Sequence, residues 1–221
     1  MFTQLAVTFA LAGAAAGLTG AGPQRVTLKG IPGDLDWKNA PAGCHTDGHE
    51  LTIEAGKSTD WYISPVDGKE TANAPILLFE PADDFVLSAK VTVDFRTQWD
   101  AGTLFVYVDE KNWAKFAFEM SVYKKPTIVS VVTRGISDDC NSWSPAGASV
   151  WFKMARLGKT FGFYASRDGR SWEMIRAFTL GAVRNVRVGF SSQSPVGPGT
   201  KATFTDIAYA PRKIKDIFTG E

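Results

Sequence analysis

Cysteine and histidine are scarce in this 221-residue chain, which holds two of each. Two cysteines, Cys44 and Cys140, allow one intramolecular pairing, so a scaffold held by several disulfides is excluded. If the chain is exported, that single bridge would close a loop of nearly a hundred residues and contribute up to about 4–5 kcal/mol in the chain-entropy account. The segment Cys44-His45-Thr-Asp47-Gly-His49 packs metal-ligand residue types closely and holds both histidines. A hairpin turn at Asp47-Gly48 explains it without a metal, because a closed tetrahedral site needs a fourth ligand. An excess of either charge is also missing, since 24 Lys and Arg stand against 23 Asp and Glu. That balance argues against nucleic acid as a partner, because displacing counterions from phosphates takes clustered positive charge. No Asn-x-Ser/Thr sequon, Ser-His-Asp arrangement, phosphate loop or dinucleotide fingerprint occurs, and no cofactor is implied. Asp138, Asp139 and Asn141 offer oxygen ligands of the kind calcium takes, yet such clusters are ordinary turn chemistry.

What the chain does have is apolar and aromatic material, 44% and 12% of its residues. From Leu5 to Leu18 it is almost wholly apolar and uncharged, and small residues follow at Gly20, Ala21 and Gly22. That is the length of a signal-peptide h-region and too short to span a bilayer of about 30 Å. No Lys or Arg precedes it. Residues 1–22 are therefore expected to be a removable export signal on a secreted protein with no membrane contact afterwards. An extended start on a cytoplasmic protein is the alternative.

Residues 23–221 carry β-like runs every 8–12 residues, separated by Gly, Pro, Asp and Asn. Examples are Phe85–Phe95, Thr103–Asp109, Trp113–Val122, Thr127–Thr133 and Val150–Leu157. Short strands at that spacing, with no long helical periodicity, predict one all-β sandwich. Alternation then assigns faces. Phe85, Leu87, Ala89, Val91, Val93 and Phe95 point to the core. In Trp113–Val122 the apolar face is Ala114, Phe116, Phe118, Met120 and Val122, which leaves Trp113, Lys115, Ala117 and Glu119 on the other.

Three segments carry a family resemblance: Ser130-Val-Val-Thr-Arg-Gly-Ile-Ser-Asp-Asp-Cys-Asn-Ser142, Asn112-Trp-Ala-Lys-Phe-Ala-Phe-Glu119 and Ser166-Arg-Asp-Gly-Arg-Ser-Trp172. Together they resemble the DUF1349, or "regulation of enolase protein 1", family within the concanavalin A-like lectin/glucanase superfamily. The resemblance runs from about Leu35 to Tyr209. It implies a concanavalin A-like antiparallel β-sandwich, a jelly roll with one concave sheet that commonly hosts the ligand.

On that sheet, Tyr107 and Trp113 are the expected flat surfaces for sugar C–H faces. Lys115, Glu119 and Arg134 are the expected hydroxyl partners, with Asp139, Asn141 and Gln193 from loops and Trp99 at an edge. A solvated Lys115–Glu119 pair, worth little, is the structural alternative. The expected function is a non-catalytic module that binds a glycan. The alternatives are a regulatory protein that binds a protein partner and a glycoside-hydrolase-like enzyme. A glycosidase needs two carboxyl groups about 5–9.5 Å apart. The strand pattern Glu-x-Asp-x-Glu that would supply them is missing, and adjacent Asp138 and Asp139 should diverge on extended backbone.

Overall fold

The computed structural model describes residues 25–181 and 184–221; the apolar leader through residue 22 lies outside the described residues. Sixteen strands follow: β1 (Asp36–Lys38), β2 (Gly43–Thr46), β3 (Leu51–Gly56), β4 (Trp61–Ile63), β5 (Glu70–Ala72) and β6 (Ile76–Phe79). Next come β7 (Phe85–Val93), β8 (Ala101–Asp109), β9 (Asn112–Met120), β10 (Pro126–Arg134) and β11 (Ser137–Asn141). The chain continues through β12 (Ser149–Leu157), β13 (Thr160–Ser166), β14 (Glu173–Thr179), β15 (Arg187–Gln193) and β16 (Gly199–Ala210). They form two seven-stranded antiparallel sheets. One has the order β1-β6-β15-β8-β9-β10-β11 and the other β14-β13-β12-β7-β16-β3-β2, while β4 and β5 form a separate hairpin.

The two sheets bury one continuous apolar layer between them, as the alternation predicts. Phe85, Leu87, Ala89, Val91 and Val93 of β7 face Ala114, Phe116 and Phe118 of β9 across it. Phe116 stacks on Phe152 and Phe163, with ring centroids 3.9 and 4.7 Å away. Aromatic pairs of this kind add about 0.5–1.5 kcal/mol beyond their buried area. Val122, assigned to the core by the same alternation, is instead 52% exposed. β9 ends at Met120, and a turn closed by Ser121 N–H donating to the Lys125 carbonyl breaks the period before Val122 is reached.

The polar run Ser137–Asn141, which reads as loop, is an edge strand. Among the described residues it pairs with β10 on one side only, in the register Val131↔Asp139 and Val129↔Asn141. Four of its five residues are exposed, so it carries no apolar alternation to detect. Extended backbone makes Asp138 and Asp139 diverge as expected. Asp138 pairs with Arg176 of β14 at 3.0 Å, while Asp139 faces the other way.

The same topology decides the cysteines. Cys44 lies on β2, the last strand of one sheet, and Cys140 on β11, the last strand of the other. The sheets stack with β3 over β15 and β14 over β10, which puts β2 and β11 at opposite edges of the sandwich. A disulfide needs Cα atoms within about 7 Å, so this fold keeps both thiols free and exposed. Native protein should therefore react at both cysteines with a thiol reagent. An unreactive protein two hydrogens lighter than the reduced mass would overturn that expectation.

Candidate functional site

The outer face of the β1–β11 sheet is ordered in rows across its strands. One row runs Arg187–Tyr107–Trp113–Thr133–Ser137, and the next Gly189–Phe105–Lys115–Val131–Asp139. Beyond them lie Ser191–Thr103–Ala117–Val129–Asn141 and then Gln193–Ala101–Glu119–Thr127. The first row is not open to a ligand. The β4–β5 hairpin folds over it, and Trp61 packs edge-on against Phe105, Tyr107 and Trp113 at 5.7–5.9 Å. Trp61 is fixed in turn by donating its indole N–H to the Ala74 carbonyl at 2.9 Å.

Several expected binding residues change role as a result. Trp113, expected as an open stacking platform, is only 1% exposed in a second apolar cluster beneath the hairpin. Tyr107 is partly buried in that cluster, with Lys38 over its ring and its hydroxyl donating to Glu110 at 3.3 Å. Arg134 belongs to the opposite face. It follows Thr133 by one residue on β10, so its side chain turns away and donates to the Thr179 carbonyl of β14 at 3.4 Å.

The remaining six converge. Trp99, Lys115, Glu119, Asp139, Asn141 and Gln193 line one cavity of about 400 Å³ beside the hairpin. Asp60, Tyr62, Val122 and Pro195 also line it; none of these four was legible as a site residue. Asp60 and Tyr62 sit on a hairpin whose landing place depends on long-range packing. One signal did point there: a lysine central to an otherwise apolar strand needs a counter-charge from elsewhere. Lys115 is nearly fully buried and donates to Asp60 Oδ1 and to Gln193 Oε1, both at 2.9 Å. The solvated pairing of Lys115 with Glu119 does not form.

Trp99 is held in an unusual way. Its φ is 67°, a left-handed backbone that a bulky L-residue rarely adopts without compensation. The compensation is next door. The fully buried Asp100 carboxylate accepts from the Arg96 and Thr97 amides at 2.9 and 2.7 Å, and from the Thr97 and Ser194 hydroxyls at 3.0 and 2.6 Å. The Trp99 amide donates to the Met120 carbonyl at 2.7 Å, and its carbonyl accepts from the Gln193 side chain at 3.4 Å. Trp99 remains 38% exposed on the cavity wall.

The cavity is electrostatically uneven. Burial pushes the Glu119 carboxyl up from 4.5 to about 8; Lys115 opposes that shift, and Asp60 and Asp139 add to it. Glu119 is thus a neutral acid at pH 7, able to donate a hydrogen bond. Asp139 is also pushed up, mainly by burial with Asp60 contributing, while Lys115 and a hydrogen bond from Tyr62 act against it. Among the described residues no group of three or more acidic, Cys or His side chains has metal-binding geometry. The cavity therefore offers a carboxylic acid, carboxylates, two amides and a phenol, bordered by an indole. That set suits a hydroxyl-rich ligand.

Fold and cavity define a concanavalin A-like sandwich with a partly roofed outer sheet. The chain belongs to the family described as "Protein of unknown function (DUF1349)", which matches residues 37–212. It is 23% identical over 175 residues to "Regulation of enolase protein 1" of Saccharomyces cerevisiae, covering 77% of this chain and 86% of that protein. A crystal structure of a functionally unknown protein from Saccharomyces cerevisiae superposes with a TM-score of 0.74 at 21% identity, covering 80% of this chain and 95% of that one. A mutant of the GH43 protein BlXynB from Bacillus licheniformis superposes at 0.62 with 15% identity, over 79% of this chain and 36% of its own. The sandwich thus matches about a third of that protein's length.

Proposed function

We propose that this protein is a non-catalytic module that binds carbohydrate in the cavity beside the β4–β5 hairpin. The observation that carries the reading is Trp99, an exposed aromatic residue held in a strained backbone on the wall of a cavity lined with hydrogen-bonding groups. Strain of about 1–3 kcal/mol persists where surrounding structure over-determines it, and it concentrates at ligand sites. Flat apolar surface beside convergent donors and acceptors is what a sugar ring with its hydroxyls requires. Two of the three Lys115 protons are engaged by Asp60 and Gln193, which leaves one for a ligand oxygen.

Glycan-array screening followed by calorimetry tests the proposal. Trp99→Gly is the informative variant, because glycine removes the indole and relieves the left-handed backbone together. It should weaken glycan affinity about tenfold or more. Thermal stability should stay unchanged or rise by up to about 1 kcal/mol. A marked fall in melting temperature with affinity retained would make Trp99 structural and sink the reading. Incubation with the bound oligosaccharide, followed by product analysis, covers hydrolysis: released sugar would replace binding with catalysis.

A regulatory reading, with a protein partner on the same face, has one observation of its own. Val122, Tyr123 and Val196 are 52%, 75% and 58% exposed on loops adjoining the cavity. Exposed apolar clusters of this kind also mark protein interfaces. Affinity capture with Tyr123→Ser as control separates the two: a partner lost in that variant, with no sugar binding, favours regulation.

A further inference from the structure

The cavity is a cleft closed at one end, and we infer that it takes the terminal unit of a neutral, hydroxyl-rich chain while the rest of that chain leaves across β11. The inference rests on the carbohydrate reading above and adds which part of the ligand is held.

The floor is the row structure of the sheet, with Lys115 and Glu119 of β9 beside Val129 and Val131 of β10. Strand β4 makes one long wall, because it crosses the sheet rather than running along it. Thr59 precedes it and bridges to Ser194, after β15. Asp60 then stands over Lys115, and Ile63 reaches the far side, its amide donating to Ser137 Oγ of β11 at 2.9 Å. The opposite wall is Trp99 and Val122, from the loops before β8 and after β9.

The β15 end is shut. The Thr59 amide donates to the Ser194 carbonyl and the Ser194 amide to Thr59 Oγ1, both at 3.1 Å. The Ser194 hydroxyl also donates to the buried Asp100 carboxylate, so the β15–β16 loop is tied to both walls. Gly197 confirms how tight the junction is: a Cβ there would collide with the Thr97 and Ser194 hydroxyls. A chain threading past this end would have to break those bonds.

The β11 end is open. Asp139 and Asn141 are exposed on an edge strand, with no further strand beyond it in the sheet among the described residues. An internal stretch of polymer needs a groove open at both ends, and this cleft is tied shut at the β15 end. Its volume of about 400 Å³ lies at the small end of the roughly 300–1,000 Å³ found for small-molecule sites, room for about one or two sugar rings. Charge narrows the ligand further. Asp60, Asp139 and Glu119 face a single ammonium, whose charge is already paired with Asp60 although one of its protons stays free for a hydroxyl. An acidic terminal sugar would meet carboxyl groups without a free cation to pair with, whereas neutral hydroxyls meet both donors and acceptors.

The test titrates the whole protein with neutral gluco-, xylo-, galacto- and manno-oligosaccharides of increasing length, with their parent polysaccharides and with oligogalacturonates. Terminal recognition predicts that affinity stops rising after about two or three units, changing less than about threefold beyond that. It also predicts that polysaccharide capacity follows the number of chain ends, rising when the polymer is fragmented at constant mass. Affinity still climbing about tenfold between three and six units, with capacity set by mass, would overturn terminal recognition and leave carbohydrate binding standing. Preference for the oligogalacturonates would overturn the neutral-ligand part. Failure of every neutral series to bind would overturn the carbohydrate reading, and this inference with it.

Discussion

Lys115→Met is expected to lower unfolding free energy by about 3 kcal/mol, because it breaks a buried ion pair from one side. Methionine keeps the aliphatic stem and removes only the charge and its hydrogen bonds, so packing loss is kept small. The Lys115 side chain is 3% exposed and that of Asp60 20%. Removing one partner of a buried pair typically costs about 3–5 kcal/mol, since the other stays desolvated; the partial exposure of Asp60 puts this case at the low end. For a domain of this size, that corresponds to a fall in melting temperature of roughly 6–12 °C. The damage should also reach the site. Asp60 links the sheet to β4, the wall of the cleft, while its Oδ1 also accepts from the Trp61 amide at 2.7 Å. Adding Asp60→Asn to Lys115→Met should recover part of the loss, because the orphaned charge is gone while an acceptor for that amide remains. Chemical denaturation of the two single variants and the double variant measures the coupling. Strict additivity would mean that the pair contributes nothing specific.

What was legible in the sequence follows from how each feature is encoded. The core face of β7 and β9 is written in alternation, and the structure buries those residues between the sheets. The outer face is written just as plainly, but alternation cannot say what lies on top of it. Trp113 and Lys115 occupy neighbouring positions on that face; one is sealed under Trp61 and the other lines the cavity. The cover comes from residues some fifty positions earlier, on a hairpin that among the described residues pairs with no other strand. Six of the nine expected residues still gather at one cavity; Asp139, Asn141 and Gln193, expected on loops, lie on strands β11 and β15 beside Lys115 and Glu119 of β9, and Trp99 alone comes from a loop. Trp99 illustrates the other limit. Its place in a turn before β8 is readable; its left-handed backbone, enforced by Asp100 from a buried position, is not. Arg134 fails for a simpler reason: one residue further along a strand is the opposite face.

Glu119→Gln should flatten the pH dependence of stability and make the protein more stable than wild type above neutrality. The folded-state value of about 8 lies above the ordinary carboxyl value of 4.5. Between those limits the native protein holds a proton that the unfolded chain has released, so stability falls as pH rises through the window. The slope approaches about 1.4 kcal/mol per pH unit for one proton. Because Glu119 keeps some solvent access through the cavity mouth, the full loss is taken as about 2–3 kcal/mol rather than the larger arithmetic limit. Asp139, also pushed up by burial, acts in the same direction. Burial sets the sign, and the charged groups facing Glu119 partly cancel: Lys115 favours its anion, Asp60 and Asp139 oppose it. Glutamine is neutral throughout, so the two proteins should match near pH 4 and separate by about 2–3 kcal/mol at pH 9, with the variant melting higher. Exposed carboxylates such as Asp47 and Asp67, whose values are lowered by backbone and side-chain hydrogen bonds, titrate in the acid range in both proteins and drop out of the difference. Ligand affinity is the independent readout. A neutral carboxyl that donates to a sugar hydroxyl stops donating once ionised, so wild-type affinity should fall above about pH 8, while the variant, with its amide donor, holds its affinity. Identical melting curves for the two proteins at pH 9 would show that Glu119 is ionised well below neutrality, and that the cavity is more anionic than its burial implies.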